Sequence, residues 1–260
     1  MISVLSGLLV LMPVQRDEPI RDNSFLIEEA YNQDAGVVQH VSTFSGSGDG
    51  EWELVFGQEW PLGGQRYQVG LSLPVLRRAL DGGARTGIGD PSLGFRWQVA
   101  GIDGGPVAVA PRVSILLPLG DDRTGHGSGG LGLQLSLPIS YQPLRRWVFH
   151  GNAGMTLVPG TGGSSGTAGP VAGLGLGGSA VWLLASPVNL LLEGLWTLDQ
   201  AGRGPVEHRL ILSPGLRAAV NLAGGVQVVP GMAYMAGLSG ASDSFFLYLS
   251  VEHPFRPARP

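Results

Sequence analysis

A period of two runs through the chain from about Asp34 onward, and this alternation constrains the fold more than any other feature. In the clearest segment Leu131, Leu133, Leu135, Leu137, Ile139 and Tyr141 share one parity. Gly132, Gln134, Ser136, Pro138 and Ser140 share the other. Val107, Val109, Val113, Ile115, Leu117 and Leu119 likewise oppose Ala108, Ala110, Arg112 and Ser114. Leu93, Phe95, Trp97 and Val99 alternate with Ser92, Gly94, Arg96 and Gln98. Successive strand side chains point to opposite sheet faces. Each segment therefore has one large apolar face and one small or polar face.

The parity divides the chain into about twelve strands, near 35–45, 51–60, 65–76, 89–100, 106–119, 131–142, 146–158, 170–184, 187–198, 206–220, 225–236 and 244–255. In the first of these Val37, Val38, His40 and Val41 fix no parity. No repeat of fixed length marks a propeller or solenoid.

A soluble barrel also alternates, so composition must choose the inner face. Charged residues are 14% of the chain, against roughly 25% in ordinary soluble domains. A core built from the large residues would leave mostly Gly and Ser toward water. All six Trp fall on the large-apolar face. Trp60, Trp97, Trp147 and Trp182, with Tyr67 and Tyr141, gather toward one rim; Trp52 and Trp196, with Tyr234 and Phe245, gather toward the other. Aromatic belts around an aliphatic band are what a bilayer requires of a barrel's outer face. Connections are short at about 61–64, 101–105, 143–145, 185–186 and 221–224, and longer at 77–88, 120–130, 159–169, 199–205 and 237–243. An open sheet edge would leave backbone groups unpaired in hydrocarbon, so the sheet must close. The pattern predicts an all-β fold: a closed antiparallel transmembrane β-barrel, an up-and-down meander over 35–256. Such a barrel belongs in a bacterial outer membrane, and an even strand number puts both termini on the periplasmic side. The alternative is a soluble β protein or lipocalin-like binder with the Trp in its core.

Ile2 to Val14 is an apolar stretch of secretory length, without the usual basic start or a small-residue cleavage site. It reads as an atypical or truncated signal segment over 1–15. Residues 16–34 are polar and acidic, with a brief helical look around Phe25 to Tyr31, and read as a periplasmic leader on the inner side of the barrel.

Three stretches carry a resemblance: Gly87-Ile-Gly-Asp-Pro-Ser-Leu-Gly-Phe-Arg-Trp97, Pro111-Arg-Val-Ser-Ile-Leu-Leu-Pro-Leu-Gly-Asp-Asp122, and His150-Gly-Asn152 followed by Gly154. With these the chain, from about residue 34, resembles the MetA-pathway phenol-degradation family of outer-membrane β-barrels. The resemblance implies location and fold, and transport of a small, hydrophobic or aromatic solute. None of the motifs is a catalytic signature.

The residues agree in excluding several chemistries. There is no Cys for a disulfide or a thiolate metal site, and the net charge of −4 offers no basic track for nucleic acid. His150 and Asn152 share the inward parity, but no Ser partner can be assigned from sequence, so hydrogen bonding in the lumen is favoured over hydrolysis. Asp121 and Asp122 lie in a loop without the ordered ligands of a calcium site. Gly160–Thr167 lacks the Gly-Lys-Ser/Thr of a phosphate loop. No enzyme, cofactor or metal is expected. The expected partners are the lipid bilayer, a small solute and the barrel-assembly machinery.

By parity Glu53, Glu59, Arg66, Arg96, Arg112, Glu193, Glu207, Arg209, Arg217 and Glu252 point inward. Mixed signs fit wall-bracing ion pairs, a selective constriction, or both. Arg96, Arg112, His150, Asn152, Glu193, Glu207, Arg209 and Arg217 are the lumen candidates. Trp52, Trp60, Trp97, Trp147, Trp182 and Trp196 are the girdle candidates. The leading expectation is a polar-lined channel; the alternative is a structural barrel plugged by its own side chains and leader.

Overall fold

The computed structural model describes residues 20–255 except 23, 81, 162–168 and 203. The expected signal segment lies outside the described residues, as does most of the Gly160–Thr167 loop. The chain forms β1 (Val37–Ser47), β2 (Trp52–Pro61), β3 (Tyr67–Leu80), β4 (Gly83–Ile88), β5 (Ser92–Trp97), β6 (Val107–Val109), β7 (Arg112–Leu116) and β8 (Gly132–Leu144). There follow β9 (Trp147–Thr161), β10 (Gly169–Ala185), β11 (Val188–Ala201), β12 (Val206–Ala218), β13 (Val220–Asn221), β14 (Gln227–Ser239) and β15 (Ser244–Pro254).

These strands make twelve staves of a closed antiparallel barrel in meander order. Three staves are split: β4 with β5, β6 with β7, and β12 with β13. Pro91 and Pro111 stand at two of the breaks; proline has no N–H to give a ladder. Closure comes from β1 against β15, in register from Val37↔Pro254 to Ser47↔Ser244. The first strand therefore begins, and the last ends, at one rim, here called proximal; the opposite rim is distal.

The parity read from sequence is the parity of the wall. Leu93, Phe95, Trp97, Val113, Ile115, Leu133, Leu137 and Ile139 are exposed on the outside, while Arg96, Ser114, Ser136 and Ser140 are buried inside. All six Trp share the outward parity, and Trp147 stacks on Trp182 with ring centroids 6.0 Å apart.

Three expectations are corrected. The long loop expected at 77–88 is a hairpin overhang, with β3 and β4 paired from Val75↔Ile88 to Leu80↔Gly83. Gly82, just before β4, takes φ +92°, a conformation glycine adopts without strain. Phe25 to Tyr31 is not helical, because its backbone donors go to side chains of the wall. Arg66 lies exposed in the turn before β3 rather than in the lumen.

Candidate functional site

Residues 20–34 thread the proximal half of the lumen, and the inward polar residues hold them there. Glu193, fully buried on β11, accepts the backbone N–H groups of Phe25, Leu26 and Ile27 at 3.3, 2.9 and 3.4 Å. Three amide donors on one carboxylate stabilise its charge where water is excluded. Across the lumen Arg96 donates from Nε to Asn32 Oδ1 at 2.7 Å, and from its other nitrogens to the Tyr31 carbonyl at 2.8 Å and Glu28 at 3.3 Å. Glu59 on β2 lies 3.6 Å from the same guanidinium. Glu28 is shared: Arg112 reaches it at 3.2 Å and the Ser136 hydroxyl donates to it at 2.8 Å.

Neutral side chains complete the cradle. Ser140, Gln98 and Gln68 accept the backbone N–H groups of Ala30, Asn32 and Gln33 at 2.8, 3.0 and 2.7 Å. Asn189 and Arg217 donate to the Ile20 carbonyl at 2.7 and 3.2 Å. The apolar leader residues sit in notches cut by glycine. Phe25 packs on Phe246 and Tyr248 at 5.5 and 5.2 Å, over Gly215 and Gly231, where any Cβ would strike its ring. A Cβ on Gly177 would overlap Ile27. Removal from water pushes the Glu29 carboxyl up to about 7, against the pull of Arg96 and with the push of Asp22 and Glu59.

Beyond the leader the lumen is not filled. Arg112 borders two cavities of about 210 Å³ each, one along β1 to β7 and one along β7 to β11. A wider one of about 460 Å³ opens at the distal rim, beside Asp49, Glu51, Arg78 and Arg209. At the proximal rim a cavity of about 390 Å³ lies between Arg21, Asp34, Gln65 and Gln227.

The eight lumen candidates thus separate. Arg96, Arg112, Glu193 and Arg217 grip the leader, directly or through Glu28. His150 reaches it through Ser140, whose hydroxyl bonds His150 Nδ1 at 2.8 Å, and by an edge contact of its ring with Tyr31. The Ser partner that sequence could not assign is the residue paired with His150 across β8 and β9. It is sealed beneath the leader, whose Ala30 N–H it accepts. Asn152 contacts Ser136 at 3.0 Å and lines the second cavity. Glu207 and Arg209 stand apart: both are exposed near the distal end of β12, and Arg209 pairs with Asp199 rather than with the constriction group. Reading by sequence missed Gln68, Gln98, Ser140 and Asn189. Their signal was a set of inward uncharged hydrogen-bonding residues near the proximal ends of strands.

Residues 24–185 match the family described as "Putative MetA-pathway of phenol degradation", more than half of the chain. The chain belongs to this family. Comparison with curated proteins finds no match. Among solved structures, the COG4313 outer membrane channel from Pseudomonas putida F1 aligns with a TM-score of 0.65 at 14% identity, covering 88% of this chain and 99% of that one. The NanC porin aligns with a TM-score of 0.54 at 7% identity, covering 83% and 98%. At these identities the likeness is one of fold.

Proposed function

We propose that this MetA-pathway family member is an outer-membrane channel that admits small solutes, hydrophobic or aromatic ones included, by passive diffusion. It rests on one observation above all: a closed barrel with an apolar, Trp-bordered exterior encloses a lumen whose distal half holds cavities instead of packed side chains. An exterior of this kind is stable only in hydrocarbon, and a closed barrel satisfies its backbone there. Both the family description and the two channel folds agree with this reading. The proximal rim faces the periplasm, with residues 1–15 serving as export signal and assembly depending on the barrel-assembly machinery.

Reconstituted protein should give small, discrete current steps in a planar bilayer. An epitope tag at Gly125 should be reached on intact cells, and one at Gly104 should not. A second reading, a structural barrel closed by its leader, is favoured by the number of contacts holding residues 20–34. Silent bilayers after verified insertion, together with no solute uptake into proteoliposomes, would reject the channel in its favour.

A further inference from the structure

Near the proximal rim, polar side chains interrupt the apolar outer face at the seam that closes the barrel. His40 on β1, Gln58 on β2 and His253 on β15 share the outward parity of the exposed Phe56 and Leu249. His40 stands opposite Gln58 in register, and His253 stands opposite Val38, the next outward residue of β1. Gln58 precedes the girdle residue Trp60 by two positions on a strand that runs toward this rim, so the group lies on the membrane side of the girdle. Ionisable side chains at such a depth are costly and mark function.

The two rings meet end to end. Their centroids are 5.1 Å apart, their planes 18° apart and their Nε2 atoms 3.0 Å apart, so each Nε2 lies on the line between the rings. At the outer ends the Gln58 amide nitrogen is 2.8 Å from His40 Nδ1, and His253 Nδ1 is 3.1 Å from the Pro254 carbonyl. A carbonyl only accepts, so His253 Nδ1 carries the hydrogen and its neutral Nε2 is bare. His40 must then donate from Nε2, and its Nδ1 accepts from Gln58. The relay runs one way, from β2 through β1 to β15.

This order accommodates one further proton. Placed on His253 Nε2, it would set two N–H groups head to head. Placed on His40 Nδ1, it requires only that the Gln58 amide turn its oxygen toward the ring. The pair then stays joined, carries a positive charge, and releases the Gln58 amide nitrogen to donate elsewhere. Among the described residues no charged side chain shares this face on β1, β2 or β15. On the flanking β3 and β14 the outward charge is Arg77, at the distal end. Glu59 and Glu252 adjoin the group along the chain but project into the lumen, where Gln68 and Gln39 donate to them. A counter-charge therefore has to come from outside the protein, and lipid headgroups lie at this level.

We infer that His40, His253 and Gln58 form a proton-dependent docking site for the phosphate of a lipid in the leaflet at the proximal rim. The imidazolium supplies the charge and the turned Gln58 amide a donor. This goes beyond the channel reading and rests only on the place of the barrel in a bilayer.

The test is titration of phosphatidylglycerol into the full chain in maltoside micelles, with bound lipid read by native mass spectrometry. Heat-modifiable gel migration verifies folding of every variant. The lipid should bind about tenfold more tightly near pH 5 than near pH 8, the effect of one charge-assisted hydrogen bond gained across the range where histidine titrates. Diacylglycerol, which has the same chains and no phosphate, should show no such difference. The His40→Phe, His253→Phe double variant should lose it. Gln58→Glu gives the cation a carboxylate within the protein and should weaken binding near pH 5 to the wild-type level near pH 8. Equal affinity at the two pH values, or a difference that survives in the folded double variant or is untouched by Gln58→Glu, would overturn the inference. So would displacement of the lipid by an equal concentration of inorganic phosphate, since a site in water needs no bilayer. The full pattern in a barrel that never conducts would reject the channel and keep the lipid site. Conduction without the pattern would do the reverse.

Discussion

The proximal and distal halves of the lumen are made by the same twelve staves, yet they are finished differently. In the proximal half, inward polar groups meet backbone: leader amides on Glu193, Ser140, Gln98 and Gln68, and leader carbonyls on Arg96, Asn189 and Arg217. In the distal half, residues of the same parity meet each other or open space, as Arg209 does with Asp199. A strand presents its side chains to the lumen in either case. What differs is whether a second segment of chain is present to use them.

The largest break in this contrast should come from Arg96, whose guanidinium is 4% exposed and holds Asn32, Tyr31 and Glu28 at once. Arg96→Ala leaves Glu28 and Glu59 facing each other without this cation. Removing one partner of a buried ion pair costs about 3–5 kcal/mol, and here the cost falls on leader docking. Conductance should rise toward that of a chain lacking residues 16–34, and the leader should become open to protease. An unchanged conductance in both variants would mean the leader does not limit the path.

Glu193→Gln comes next. It keeps one acceptor oxygen but loses the charge that three amides converge on, an effect of about 1.5–3 kcal/mol for hydrogen bonds to a charged group. Brief openings should become more frequent while thermal stability of the barrel holds, since Glu193 bonds the leader and no neighbouring strand's side chain among the described contacts. Equal loss of barrel stability would make it a wall brace instead.

These two residues mark how much the sequence disclosed and where it stopped. Strict alternation placed the staves, gave Arg96, Arg112, Glu193 and Arg217 their inward direction, and set the girdle outside, because parity is a local property of a strand. The partner of those charges was not legible: ion pairing between strands and docking of a leader call for the same residues on the same face. The leader itself misleads, since Phe25 to Tyr31 has a helical spacing that wall side chains override by taking its N–H groups. Likewise, Gly177, Gly215 and Gly231 look like ordinary small inward residues until Ile27 and Phe25 are seated on them.

Acidity should shift the same contrast more mildly. In the docked leader the Glu29 carboxyl is held up at about 7, against an ordinary 4.5. A leader that leaves the lumen returns it to water and to that ordinary value. The docked form therefore holds the proton more tightly. Its contribution to docking is complete below the ordinary value and is lost as pH rises through the raised one. Conductance should be low near about pH 5 and climb toward about pH 8 as this group ionises. Glu29→Gln should stay low throughout. A wild-type profile without slope across this range would place control of the leader elsewhere.

The smallest effect is expected at the distal rim, and it sharpens the comparison by failing to resemble the others. Arg209 and Asp199 are both more than a third exposed, so water and salt screen their attraction, and such pairs contribute about 0–1 kcal/mol. Arg209→Ala should leave thermal stability, leader docking and pH response where they are. It also removes a positive charge from a mouth that keeps Asp49, Glu51 and Asp199. Ion preference should then move toward cations, most visibly at low salt, where the Debye length spans the opening. If the variant instead frees the leader or raises conductance as Arg96→Ala does, the two halves are mechanically coupled and the division drawn between them fails. If ion preference stays fixed at low salt, the distal charges do not face the conducting path.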